Sequence, residues 1–173
     1  MKKIFILLII MICSNTFAQK KDISDQVEFE TQKFKDSIHK LKEFSSSLDL
    51  EFTVDKFKID KKMDLELNND YTTSGMLQAT YNSYVSYDDL LNKYYKKLLK
   101  KLNHEDKETL KQAQRNWIKF RNSEIKLNNL IAKDEYSGGG TIQQLFIASR
   151  NLDLVKNRLD EIYEYLNSRI MIK

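Results

Sequence analysis

Apolar side chains recur with a helical period through the second half of the chain. Between residues 73 and 102 they fall three or four positions apart, and Thr73 or Ser74 is a suitable residue to cap such a helix. This spacing predicts a long helix with one inward stripe. The stripe consists of Leu77, Tyr81, Tyr84, Asp88, Leu91, Tyr95, Leu98 and Leu102.

Two further helices follow with the same period. Residues 105–133 begin with acidic side chains, which favour a helix N-terminus, and residues 141–167 follow Thr141, which we expect to cap the last helix. A loop at 134–140 separates them. Long helices joined by short connections predict an all-α fold, an antiparallel up-down bundle of three helices over residues 73–167.

The preceding segment, residues 19–72, is expected to be an N-terminal helical extension. Residues 22–46 have helical spacing, and a serine run interrupts them. Residues 48–68 are ambiguous, because Leu48, Leu50, Phe52 and Val54 alternate as in a strand. A lone strand has no partner in this sequence, so we expect an extended entry followed by a short helix.

Residues 1–18 have the pattern of a signal peptide. Lys2 and Lys3 precede an apolar run that ends at Cys13, and Thr16-Phe17-Ala18 offers the small residues that a signal peptidase needs. The mature protein is then exported to the periplasm or beyond, with no stable membrane span. An uncleaved anchor is the alternative. Ile12 before Cys13 argues against lipidation of that cysteine.

Composition narrows the function further. Residues 19–70 carry 10 lysines and 13 acids, and residues 71–173 carry 17 basic and 12 acidic side chains. The net charges of the two parts, −3 and +5, sum to +2, which is too small to indicate nucleic-acid binding. The absence of proline and the presence of only four glycines favour long helices. Beyond Cys13 there is no cysteine, so we expect the core to hold without disulfides.

Nothing in the sequence indicates catalysis. It has no His-Glu-x-x-His motif, no Gly-x-Ser-x-Gly nucleophile elbow and no cluster of residues spaced like metal ligands. We therefore expect neither an enzyme nor a bound metal or cofactor.

Trp117 and Arg121 are one helical turn apart, and Asp88 faces them if the first two bundle helices are antiparallel. They form either a recognition pair for a partner or glycan, or a core anchor with a buried ion pair to Asp88 or Glu124. We favour the second interpretation, because a buried arginine requires a carboxylate. Asn92 and Gln114 are expected to face inward and to hydrogen-bond between helices.

The glycine run after the second bundle helix is the other candidate site. Ser137, Gly138, Gly139, Gly140 and Thr141 form either a tight turn, an anion-binding nest or a partner-contact loop with Tyr136 beside it. It lacks the lysine and the spacing of a nucleotide-binding loop.

Several of these motifs together resemble the N-terminal domain of LprI-type lysozyme inhibitors over residues 73–166. The matching residues are Met76, Tyr84, Asp88, Leu91-Asn92, Tyr95, Leu98, Leu110, Ala113-Gln114, Trp117, Phe120-Arg121, Glu124, Gly139-Gly140, Leu154 and Arg158. The family's cysteines fall on Ala79, Ile125 and about Arg150, and Asn122 replaces an aspartate.

The resemblance implies an exported helical protein that binds lysozyme, or another envelope partner, without catalysis. Glycosidases place two carboxylates beside a cleft, and an inhibitor must fill it. The loop at 134–141 is the best candidate for that contact. The alternative is a non-inhibitory envelope scaffold or stress-related protein that assembles through residues 19–72. The oligomeric state does not follow from the sequence.

Overall fold

The computed structural model describes residues 22–40 and 46–169, with side chains to residue 167, and these residues are helical apart from short connections. The prediction of an all-α fold is confirmed for this part of the chain. The predicted signal peptide, with Cys13, lies outside it. The helices are α1 (22–40), α2 (Ser47–Asn69), α3 (Thr73–Lys101), α4 (His104–Ile131), α5 (Asp134–Ser137) and α6 (Ile142–Glu164), followed by a π-helical turn, Tyr165–Arg169.

The expected extended entry at residue 48 is wrong, because α2 is one continuous helix. Ser46 caps it by accepting a hydrogen bond from the Asp49 backbone N–H at 3.1 Å. The alternating pattern misled because α2 packs on two sides. One side, with Phe52, faces the central core. The other meets α1, where Phe57 stacks on Phe34 with ring centroids 4.1 Å apart.

The helix caps also differ from the predicted ones. Thr72, rather than Thr73 or Ser74, caps α3 by accepting from the Gly75 N–H at 3.1 Å. Thr141 makes no side-chain capping bond to α6. Its backbone is already helical, with φ −63° and ψ −23°. The side chain therefore lacks the extended backbone from which a cap reaches the first turn.

The core lies between α2, α3 and α6 and is rich in aromatic rings. Tyr87 and Tyr94 are fully buried, and Phe52 meets Tyr94 edge-on at a centroid distance of 5.0 Å. Tyr163 of α6 stacks in parallel on the Phe52 ring, with the ring centroids 3.7 Å apart. Because Phe52 belongs to α2, the extension shares this core with the later helices.

Tyrosine hydroxyls of α3 and α6 donate hydrogen bonds to carboxylates of α2. Tyr163 donates to Asp49 at 2.6 Å, and Tyr87 donates to Asp60 at 2.7 Å. Tyr94 donates in the same way to Asp55, at 3.1 Å. Residue numbers rise along α2 as those of its α3 partners fall, so α2 and α3 are antiparallel. Burial, together with Asp60, raises the pKa of Tyr87 well above its usual value.

Lysines of α3 extend this contact toward solvent. Lys93 pairs with Glu51 and Asp55, and Lys97 pairs with Glu51. Hydrogen bonds from the two lysines lower the pKa of Glu51. Together with the tyrosine bonds, these pairs give α2 a fixed register on α3.

The helix α4 is attached differently from the others. Of its side chains only Leu110, Gln114 and Asn128 are buried, and two of these are polar. It packs mainly on α6, whereas α6 packs most extensively on α3. The three long helices that the sequence predicted are α3, α4 and α6. Their up-down arrangement as a self-contained bundle stays a prediction, as does the domain division at residues 72 and 73.

Candidate functional site

The predicted cluster on α3 and α4 is present. Arg121 donates to the Asp88 carboxylate at 2.7 Å, and its guanidinium carbon lies 5.1 Å from the centre of the Trp117 ring. Its Nε is buried without a hydrogen-bond partner. Arg121 is thus neutralised within the protein by Asp88, one of the two acids expected. This geometry favours the interpretation as a core anchor with an internal ion pair over that of a recognition pair.

A second arginine completes the cluster, and sequence reasoning gave it no role. Arg158 of α6 is buried, and its guanidinium carbon lies 5.9 Å from the Trp117 ring. It donates to the amide oxygen of Gln114 at 3.1 Å and to Glu161 at 2.8 Å. Its position among Val155, Leu159 and Ile162 on the inward stripe was the signal that marked it.

The other residues of the predicted motif occupy different environments. Gln114 is buried and makes the interhelical hydrogen bond that was expected of it. Asn92 is exposed and reaches only Asp88, at 3.4 Å, so the expectation that it faces inward is wrong. It lies at the rim of the stripe, toward solvent. Tyr95 is half-buried against the core. Glu124 is half-buried beside a groove between α4 and α6.

The segment expected to be a loop at 134–140 is one only in part, because Asp134–Ser137 form the short helix α5 and a tight glycine turn follows it. Gly138, Gly139 and Gly140 have φ values of 77°, 78° and 95°, a left-handed conformation that other residues rarely adopt. The Ser137 hydroxyl donates to the Ala132 carbonyl at 3.0 Å and accepts from the Gly139 N–H at 3.1 Å.

These bonds bear on the anion-nest alternative. The Gly138 N–H donates to the Asp134 carbonyl at 3.0 Å, and the Gly139 N–H is bound to Ser137. Two of the N–H groups that a nest requires are therefore used inside the loop. A Cβ on Gly139 would also lie only 2.9 Å from the Asp134 carboxylate, so an acid flanks the turn. The geometry favours the other two alternatives, a turn or a partner-contact loop.

The outer surface of the loop is acidic and aromatic. Tyr136 is 62% exposed. Asp134 and Glu135 beside it are exposed, as is Thr141, while Ser137 is half-buried. In the part of the chain that the structure describes, neither acid forms a salt bridge.

A groove of about 290 Å³ opens between α3, α4 and α6. Gln144, in the first turn of α6, lies on its wall and places the groove directly beside the loop. None of the side chains that line it carries a charge. They are Leu77, Tyr81, Tyr84, Ile125, Gln144, Ile147, Ala148 and Asn151.

The fold and these surfaces define a small all-α protein with an aromatic core and an exposed, glycine-stiffened loop. The described residues contain no group of three or more His, Cys, Asp or Glu placed to hold a metal. The chain belongs to the family described as lysozyme inhibitor LprI, whose model matches residues 66–162. This confirms the resemblance found in the sequence.

The match begins within α2, near its end, and stops two residues before the end of α6. It includes the Trp117 cluster and the glycine loop. No curated protein and no solved structure is significantly similar to the chain. No helix in the described ranges has the length and apolar character that crossing a bilayer requires.

Proposed function

We propose that this protein is exported and binds a lysozyme-type glycosidase stoichiometrically, without catalysing a reaction. Membership of the lysozyme inhibitor LprI family supports the class of partner. The observation that carries the proposal is the segment at 134–141, which connects α4 to α6. It exposes Tyr136, and the three glycines that follow have left-handed backbone conformations.

The chemistry of this loop suits a glycosidase cleft. The catalytic carboxylates of such a cleft accept hydrogen bonds, so an inhibitor has to present donors to them. Tyr136 offers a phenolic hydroxyl and an aromatic ring that replaces the face of a sugar. The backbone N–H groups at Gly140 and Thr141 are further donors for which the structure shows no internal acceptor.

Net charge and local charge have opposite effects on this contact. The net charge of the chain is positive, which disfavours association with a basic lysozyme. The loop itself carries Asp134 and Glu135, both exposed. These acids complement basic side chains at the rim of a glycosidase cleft. Tyr136 would enter the cleft itself. The two loop acids therefore offset part of the unfavourable net charge at the contact itself.

The neighbouring groove extends the binding surface. It is uncharged and lies beside the loop. An apolar side chain from the rim of the glycosidase fits a groove of this character. Because the turn is already ordered by its own hydrogen bonds, binding loses little conformational entropy.

A turbidity assay tests the proposal. Lysozymes of several classes are titrated with the chain from Gln19 onward, which contains every residue that the structure describes. We expect the rate of cell-wall lysis to fall linearly and to reach its minimum near one inhibitor per enzyme for at least one class. Full lysis of the cell walls by every class at a large molar excess would remove the inhibitor assignment.

A further inference from the structure

Several apolar side chains of α4 are exposed in the part of the chain that the structure describes, and two of them, Leu127 and Ile131, also line the groove between α4 and α6. Phe120 is 51% exposed and Leu127 is 47% exposed, and they are one heptad apart. Leu130 and Ile131 continue this surface and are exposed to a similar extent. Leu110 is the only buried apolar residue of the helix, so α4 exposes more apolar side chains than it buries. A contiguous surface of this kind marks a contact with another body.

Basic side chains lie beside this apolar surface. Arg115, Lys119 and Lys126 follow one another at spacings of four and seven residues, which places them on one side of the helix, and Lys133 follows just beyond its end. All four are exposed. The ion pairs that α4 does form use Lys111, with Glu108, and Arg121, with Asp88. None of the four forms a salt bridge with a carboxylate among the described residues.

We propose that this face of α4 binds the surface of an anionic phospholipid bilayer. A helix lying in a lipid interface presents Phe and Leu to the acyl boundary and Lys and Arg to the headgroups. Anionic headgroups attract each of these cations. From Arg115 to Ile131, where α4 ends, the face is about 24 Å long at the rise of an α-helix, enough to contact several lipids.

The composition of the face favours lipid over an acidic protein. Three of its four cations are lysines, and lysine is depleted in protein–protein interfaces whereas Tyr, Trp and Arg are enriched. The only tryptophan, Trp117, points inward to the cluster with Arg121 and is not available on this face. The inference goes beyond inhibition and does not rest on it, because the glycine loop is not part of this face.

Co-sedimentation with lipid vesicles tests the proposal on the chain from Gln19 onward. Wild-type protein is expected to pellet with vesicles containing about one third phosphatidylglycerol and to stay in solution with pure phosphatidylcholine, since the headgroup charge supplies the attraction. Added salt at about 0.5 M is expected to weaken binding, because it screens that attraction. Failure of wild-type protein to bind the anionic vesicles would overturn the proposal.

Two variants and a matched control locate the face. The double change Lys119→Glu and Lys126→Glu is expected to lower the vesicle association constant by about tenfold or more, because it reverses two of the four charges. Phe120→Ser with Leu127→Ser is expected to lower it as well, by removing the inserted side chains. The control is Lys96→Glu with Lys100→Glu, an equal charge change on two exposed positions of α3.

The control variant is expected to bind like wild type, and circular dichroism should show all four proteins equally helical. Equal loss in the control and in the α4 charge variant would overturn the proposal, because net charge alone would then explain binding. Retention of binding by both α4 variants would also overturn it. Binding of a soluble polyglutamate peptide in place of the vesicles would assign the face to an acidic protein instead.

Discussion

At the scale of single residues, Arg121 of α4 shows how a charge is accommodated in a half-buried position. Arg121 is 18% exposed, and its bond to Asp88 is the only neutralising contact that the structure gives it. The spacing of Trp117 and Arg121 was enough to predict that they lie together. Arg158 was not assigned a role, because its contacts with Gln114 and Trp117 become evident only when α4 and α6 pack.

Asp88→Asn is expected to destabilise the protein by about 1–3 kcal/mol, since it leaves Arg121 charged and without its carboxylate. Urea unfolding measures the change. Asp89→Asn is the matched control, because Asp89 is the exposed neighbour and the structure shows no ion pair for it. Asp88→Asn should unfold at a clearly lower urea concentration than Asp89→Asn. If Asp88→Asn is as stable as Asp89→Asn and loses lysozyme inhibition, the cluster is a recognition site and our interpretation is wrong.

At the scale of elements, the glycine loop depends on backbone conformation more than on side chains. Gly138 and Gly139 have nearly equal positive φ values, but only Gly139 lies against a carboxylate, that of Asp134. The sequence predicted a turn here from the glycine run. It did not reveal that the loop uses two of its own N–H groups, one bound to the Asp134 carbonyl and the other to the Ser137 hydroxyl.

Gly139→Val is expected to abolish inhibition while leaving the helices intact. A branched side chain at positive φ costs about 1–2 kcal/mol, and here it also displaces the Asp134 side chain. Gly138→Val is the matched control, because it has the same positive-φ strain but its Cβ meets no atom within 4 Å. Lysis assays and far-UV circular dichroism measure the two effects. Full inhibition by Gly139→Val would exclude the loop as the contact.

The contact of α2 with α3 predicts a dependence on acid. Hydrogen bonds from Lys93 and Lys97 lower the pKa of Glu51 below its ordinary value of 4.5. A carboxyl with a lowered folded-state pKa stabilises the protein above its unfolded pKa, and the contribution disappears as pH falls through the folded pKa. The free energy of unfolding should therefore decrease on acidification below about pH 4.5.

Glu51→Gln should make this decrease shallower. Urea unfolding at a series of pH values from about 3 to about 7 measures how steeply the free energy of unfolding decreases. Glu105→Gln serves as the control, since Glu105 is exposed in α4 and has no ion pair in the described structure. Identical pH profiles for wild type and Glu51→Gln would show that the Glu51 pairs do not contribute.

At the scale of the whole molecule, helical periodicity predicted the fold class and the extent of α3, α4 and α6 to within a few residues. It failed at α2, where apolar side chains on two sides of one helix imitate alternation. The family match starts at residue 66, but Phe52 of α2 lies within the aromatic core. The folding unit is thus expected to extend beyond the matched region toward the N-terminus.

Truncation tests that expectation. A chain that begins at Tyr71 loses Phe52 and leaves Tyr87, Tyr94 and Tyr163 without their carboxylate acceptors. Buried hydroxyls without acceptors and a lost aromatic side chain should prevent cooperative unfolding. A chain that begins at Ser46, which keeps α2 and its cap, should unfold cooperatively. If the shorter chain unfolds with the same midpoint as the longer one, residues 73–167 form an independent domain.

The central claim is that the 134–141 loop inhibits a lysozyme by direct contact, and Tyr136 tests it most directly. Residual lysozyme activity is measured against molar ratio for wild type, Tyr136→Ala and Phe29→Ala. Phe29 is a matched aromatic control, 61% exposed on α1 against 62% for Tyr136. We predict that Tyr136→Ala weakens inhibition by about a hundredfold, as expected for a central aromatic anchor, and that Phe29→Ala inhibits like wild type. Equal inhibition by all three proteins would contradict the account.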